Sequence, residues 1–236
     1  MSKKFQAAMA GVAALLMIAG CSSRSAKPQT SLVEPTVIAA PMAAVPPALL
    51  KPLKAGDEVE YAVSDKFTGN RRTVVLRVDR VEAARVLFNN GARIEKPSGE
   101  PLQITTLQLG DMDAIMPPGG WGRDNLKPGM TWSSSHRGVG EAAAMAYSLK
   151  AEVGTPVMLR TPMGALPVVP IEYWGWATDK SRNISTPSKV SIDLWYSVEL
   201  RRVVRMETHV KPATNLVPRA YESSRELSEL VAIRHF

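Results

Sequence analysis

The sequence predicts an all-β domain, an antiparallel sheet curled into a barrel or half-barrel, with an N-terminal segment of different character in front of it. From Gly56 onward, short apolar runs alternate with a period of two. In one of them Val74, Leu76 and Val78 are set between Thr73, Val75, Arg77 and Asp79. Turn signals punctuate these runs, notably Asn90-Gly91 and the stretch MPPGGWGRDNLKPGM, which holds three prolines and four glycines. Helical spacing is scarce: VGEAAAMAY supports a turn or two and nothing longer.

The first twenty residues have the three parts of an export signal. Lys3 and Lys4 are positive, Ala7 to Ile18 form a twelve-residue apolar run, and Ala19 and Gly20 are small. Twelve residues fall short of the roughly 20 that span a bilayer core. Cys21 follows, the single cysteine of the chain, so no intramolecular disulfide can form. The quartet Ile18-Ala19-Gly20-Cys21 resembles the lipobox of bacterial lipoproteins. The resemblance implies diacylglycerol on the Cys21 sulfur, cleavage before that residue and a further acyl chain on its amine. Each buried methylene contributes about 0.8 kcal/mol, and two or more chains give stable membrane attachment. Cleavage there leaves 27 basic against 22 acidic residues, a net charge of +5 in place of +7. Ser22 stands where aspartate resembles an inner-membrane retention signal, which implies the outer membrane, with the protein facing the periplasm.

Residues 21–53 form the expected lipidated tether, rich in Pro, Ala and Ser. Prolines at 28, 35, 41, 46, 47 and 52 preclude a long helix. Extended at about 3.1 Å per residue, such a chain reaches roughly 90 Å. Its apolar pairs Val37-Ile38 and Leu49-Leu50 offer docking points for the domain behind it.

Residues 54–236 make the β domain. DEVEYAV and RRTVVLRVDRVE flank a turn at SDKFTGN, and VLFNNGARIE makes a hairpin. LQITTLQL is a further strand, followed by the Gly/Pro loop. Strands resume with TWSSSHR, AMAYSLKAEV, IEYWGWA, KVSIDLWYSV and RRVVRMETHV, the last two paired around SVELRR. The end, YESSRELSELVAIRHF, fits a helix or a strand; a strand is expected because a β-rich run precedes it. GDEVEYAVSDKFTGNRRTVVLRVDRV together with LWYSVELRRVVRME resembles an uncharacterised family of periplasmic β proteins. That resemblance, covering about residues 54 to 233, implies the incomplete barrel of the periplasmic lipoprotein carrier and its acceptor. A fold of this kind serves many functions.

Chemistry-bearing residues are few. His136, His209 and His235 lie far apart with no HxH or HExxH spacing, so neither a metal site nor any cofactor is expected. Ser133 to Ser135 adjoin His136 without a GxSxG elbow, so no catalytic residue is assigned and an enzyme is not expected. Asp111, Asp113 and Asp124 lack the ligand spacing of an EF-hand and read as solvated loop acids. Arg71, Arg72, Arg77, Arg80 and Arg85, then Arg201, Arg202 and Arg205, read as solvated sheet faces.

The tryptophans are the candidate ligand-binding residues. Trp174 and Trp176 share a face opposite Tyr173, Gly175 and Ala177, and Trp195 lies opposite Val190, Ile192 and Leu194. They are either core or the lining of a concave pocket for an acyl chain or glycan. Trp121 could serve as a lid or a partner anchor. The expected function is that of a non-catalytic, membrane-anchored envelope lipoprotein binding a protein partner in assembly or secretion. The alternatives are an acyl-chain or lipoprotein acceptor and, more distantly, a cell-wall or lipid hydrolase. Nucleic acid is excluded by compartment.

Overall fold

Among the described residues, twelve strands, all paired antiparallel, make one curved, unclosed sheet in the computed structural model. The structure describes residues 45–181, 187–212 and 224–236, which belong to one unit spanning 38–236. Cys21, the export segment and Val37-Ile38 lie outside the described residues.

The strands are β1 (Glu58–Asp65), β2 (Arg71–Val81), β3 (Val86–Phe88), β4 (Arg93–Glu95), β5 (Pro101–Ile104), β6 (Thr131–Arg137), β7 (Met145–Val153), β8 (Val157–Thr161), β9 (Gly164–Asp179), β10 (Ser188–Ser197), β11 (Arg202–Pro212) and β12 (Ser224–Arg234). One helical turn, α1 (Asp111–Ala114), precedes the Gly/Pro loop. The spatial order is β5-β4-β3-β2-β1-β12-β11-β10-β9-β7-β6, with β8 paired to β9. The last strand therefore inserts between β1 and β11 and joins the two halves of the chain. Register shifts at Glu60/Tyr61 and Trp195/Tyr196 add local bend and twist, which favours curling.

Period-two patterning puts one face of nearly every strand into a common core. Val59 and Tyr61 of β1, Leu76 and Val78 of β2, Leu149 of β7, Ile171 and Tyr173 of β9, Ile192 and Leu194 of β10, Met206 of β11 and Leu230 of β12 are all buried. They pack in one cluster with Met112, Ile115 and Trp121 from α1 and the loop. Strands from β2 to β7 can reach one cluster only if the sheet wraps around it, so the hollow of the half-barrel is filled by α1 and its loop. Burying each such side chain stabilises the fold by about 1.5–3 kcal/mol.

The strand readings hold through most of the domain. The Asn90-Gly91 hairpin closes with Asn89, Asn90 and Gly91 all at positive φ. The final segment is strand β12, and the alanine stretch is a 3-10 turn at Gly140–Ala144. One strand is shorter than expected. LQITTLQL pairs only as far as Ile104, because the N–H groups of Gln108 and Leu109 go to Asp113 Oδ2, each at 2.9 Å, and not to a neighbouring strand. Three elements have no counterpart in the sequence reading: α1, β8 and the leading half of β9. The prolines at 167 and 170 obscure β9. Its residues 164–168 pair with β8, whereas the β10 ladder begins at Val169, which is where strand prolines are tolerated.

Residues 45–53, at the end of the tether segment, pack on the sheet. The Val45 N–H donates to the Ala165 carbonyl at 3.1 Å, and a 3-10 turn at Pro47–Leu50 lays Leu49 and Leu50, followed by Leu53, against the core.

Candidate binding surfaces

The two faces of β9 and β10 hold different aromatics. Tyr173 points into the core, where its ring meets Trp121 edge-on at 5.2 Å and Trp132 at 5.7 Å. Trp174 and Trp176 point the other way, as the alternation predicts. On that outer face Trp174 stands opposite Ser191, and Trp176 opposite Lys189. Trp176 is 43% exposed, and the Lys189 ammonium lies 5.8 Å from its ring centre. Trp195 is flanked by Pro170 and Arg205, whose guanidinium sits 5.3 Å over the indole. Trp174 and Trp176 lie on the outer face, the partly buried Trp195 packs against the core cluster, and Met112, Ile115 and Trp121 occupy the hollow.

Trp121 is likewise neither lid nor anchor. It is 4% exposed, and its Nε1–H donates to the Met112 carbonyl at 2.9 Å, closing the loop onto α1. A glycine- and proline-rich sequence suggested a free loop. Burial of one indole and its hydrogen bond make the loop part of the core.

The outer face also carries a row of carboxylates. Glu152, Glu172, Asp193 and Glu207 are in register across β7, β9, β10 and β11. Like charges placed opposite one another oppose pairing. Burial, reinforced by Glu172 and Glu207, pushes the Asp193 carboxyl up to about 6. Arg225 of β12 offsets the row, its Nε donating to Glu207 Oε1 at 2.6 Å.

His136 pairs with Ser134, not with its neighbour Ser135. Its Nε2 is 2.8 Å from the Ile115 carbonyl, which can only accept, so Nε2 carries the proton. In the neutral ring Nδ1 then accepts from the Ser134 hydroxyl at 3.0 Å. The ring stacks on Tyr147 at 5.6 Å, and burial lowers its pKa, favouring this neutral form. The imidazole ties β6 to the end of α1. His235 is a second tie, its Nδ1 2.7 Å from the buried Asp57 at the start of the domain.

Of the acids taken for solvated loop residues, Asp113 is buried and Asp111 half-buried. Asp113 is fully buried and pairs with Arg93, which also pairs with Glu95; Arg202 Nη2 lies 3.0 Å from Glu95 Oε2. This Arg–Glu–Arg–Asp network fixes α1 to β4 and β11. Asp111 lies beside Glu226, whose Oε1 accepts the Asp111 N–H at 2.7 Å. Burial and the Asp111 charge push the Glu226 carboxyl up to about 7. Among the described residues, no group of three or more His, Cys, Asp or Glu is arranged to hold a metal ion, and no helix is long and apolar enough to cross a membrane.

A recess lies at the end of the domain where the β10–β11 turn meets the β4–β5 turn and the Gly/Pro loop. It is a groove of about 700 Å³ lined by residues that include Arg123, Arg201, Tyr196, Asp124 and Asn125. Sequence reasoning missed it because its lining comes from three turns distant in the chain. The one local signal was an arginine at the turn position where glycine is usual.

These features define a class: an unclosed antiparallel half-barrel plugged by its own helical turn and loop. No family model and no curated protein sequence matches the chain. Solved structures that it resembles include a protein described as exported and of YmcC-like fold from Bacteroides fragilis. That match has a TM-score of 0.46 and 15% identity over 78% of this chain and 98% of the other. A second is described as a lipoprotein from Parabacteroides distasonis, with a TM-score of 0.44 and 13% identity over 79% and 98%. A third is the hypothetical lipoprotein YmcC of Escherichia coli, with a TM-score of 0.38 and 8% identity over 76% and 86%.

Proposed function

We propose that this chain is a non-catalytic lipoprotein, anchored through Cys21 in the outer membrane, whose periplasmic β domain binds a protein partner in envelope assembly or secretion. The observation that favours a protein partner over an acyl ligand is the filled hollow. Trp121, Met112 and Ile115 occupy the volume that an acyl chain would need, and all three are buried in the common core. An acceptor of the carrier type requires an open apolar cleft, because burial of the methylenes supplies its binding energy. A half-barrel with its hollow filled instead offers its outside: the Trp174 and Trp176 face, with the partly buried Trp195 nearby, and the loops at its ends. Tryptophan and arginine are the residues most enriched where partners bind tightly.

The discriminating experiment uses the full-length protein purified in a non-ionic detergent. Palmitate, titrated below its aggregation threshold, is expected to give no saturable change in tryptophan emission. A photo-crosslinker placed at Trp176 in living cells is expected to yield one discrete protein adduct, absent when it is placed at buried Leu149. A saturable emission change abolished by Trp121→Phe would overturn the reading in favour of the acyl acceptor.

A further inference from the structure

The groove between the β10–β11 turn, the β4–β5 turn and the Gly/Pro loop has the properties of a built ligand site. Its three walls interlock through contacts that side chains would forbid. A Cβ on Gly99 would lie 1.9 Å from the Arg201 carbonyl oxygen, and one on Gly122 would lie 2.5 Å from the Tyr196 ring. The groove therefore has a fixed shape before anything enters it. Its volume of about 700 Å³ is that of a small-molecule site and well beyond a bare inorganic ion.

Arg201 is held in an unfavourable conformation. It closes the turn between β10 and β11 at φ +52°, in the left-handed region where glycine is the default and arginine is rare. Asn125, another lining residue, also has positive φ, at +57°. Asparagine tolerates that region, but the strain at Arg201 persists only where the surrounding structure fixes it, and such strain clusters at ligand sites. The side chain that the turn retains is a guanidinium. A second, Arg123, enters from the Gly/Pro loop, its guanidinium 5.5 Å over the Trp132 ring. Among the described residues neither arginine forms an ion pair, whereas the groove's Glu100 is tied to Lys96 at 2.8 Å.

We propose that this groove binds a small oxyanion carried on a hydroxylated body. Two guanidinium forks with no ion-pair partner among the described residues match a phosphate or carboxylate with paired hydrogen bonds. The remaining lining suits the body. Asp124 and Asn125 accept from and donate to hydroxyls. The same oxyanion chemistry is available from a free sugar phosphate or from a phospholipid headgroup.

The test is calorimetric titration of the full-length protein in non-ionic detergent with glucose 6-phosphate, with glycerophosphoglycerol and with glucose. At least one phosphate is expected to bind saturably, and glucose at least tenfold more weakly. Binding of the sugar phosphate alone assigns a free ligand, and binding of the glycerol diester alone a headgroup; either supports the site. Arg123→Gln and Arg201→Gly are each expected to weaken binding tenfold or more, while Arg71→Gln, outside the groove, changes it less than twofold. Arg201→Gly also relieves the positive φ and is expected to raise the thermal midpoint, so its lost binding is not lost folding. No saturable binding of either phosphate, equal binding of glucose, or equal effects of Arg71→Gln and Arg201→Gly would overturn the proposal.

Discussion

The Tyr173 hydroxyl donates to the Trp121 backbone carbonyl at 3.1 Å, so the centre of the longest strand is bolted to the loop that plugs the half-barrel. The two rings meet edge-on, the geometry that their charge distributions favour. One residue pair thus converts a glycine-rich loop into core. Tyr173→Phe removes the hydrogen bond and keeps the ring, and is expected to cost about 1 kcal/mol. Trp121→Ala empties the plug and is expected to cost about 3–5 kcal/mol. Urea unfolding of the two variants checks the order; equal losses would place the strength in the hydroxyl and not in the indole.

Glu226 gives the fold a pH dependence whose sign follows from its shift. Its carboxyl titrates near 7 in the folded protein, against an ordinary value of 4.5, because burial and the Asp111 charge disfavour the anion. Folding takes up a proton at this group between those values. Its contribution to stability is complete below about 4.5 and is lost as pH rises through about 7. Glu226→Gln keeps an oxygen to accept the Asp111 N–H and removes the charge. The variant is expected to melt higher than the native protein at pH 8 and to converge with it near pH 5. Parallel melting curves across that range would show that the carboxyl is not held near 7.

Alternation made the sheet legible in the sequence. Val74, Leu76 and Val78 announce a half-buried strand without knowledge of the partner, and the same rule placed Trp174 and Trp176 together on one face. It cannot say which face encloses the core, since that depends on the direction in which the sheet curls. Trp174 and Trp176 therefore admitted both a core and a pocket reading, and the curl of the sheet puts them on its outer face. The plug was illegible for a related reason. Asp111 and Asp113 sit in a stretch with loop composition, and only Arg93, twenty residues before Asp113 in the chain, explains why Asp113 is buried. The groove depends on three turns meeting, and no local pattern encodes that.

Removing one member of the buried network tests its role. Asp113, itself fully buried, answers Arg93 and accepts the Gln108 and Leu109 N–H groups. Asp113→Ala leaves a buried guanidinium with one partner fewer and two amides unpaired, and is expected to cost about 3–5 kcal/mol. Urea unfolding measures the loss, and near-native stability would show that the segment before α1 repacks without the network.

Lipid attachment at Cys21 is the remaining expectation with a single-atom test. The sulfur is the only thiol in the chain, so any thioether-linked diacylglycerol must sit there. Cells fed labelled palmitate are expected to label the native protein and to leave Cys21→Ala unlabelled. The signal is expected to remain attached in that variant, because the resemblance to a lipobox implies cleavage only after the cysteine is modified. Its mass is therefore expected to include residues 1–20, while the native protein begins at the acylated cysteine. The domain test is separate: a substitution at residue 21 leaves the Trp121 plug untouched, so emission from the folded core is expected to match the native protein. Palmitate on the Cys21→Ala protein, or an unlabelled native protein, would overturn the anchor and with it the membrane assignment.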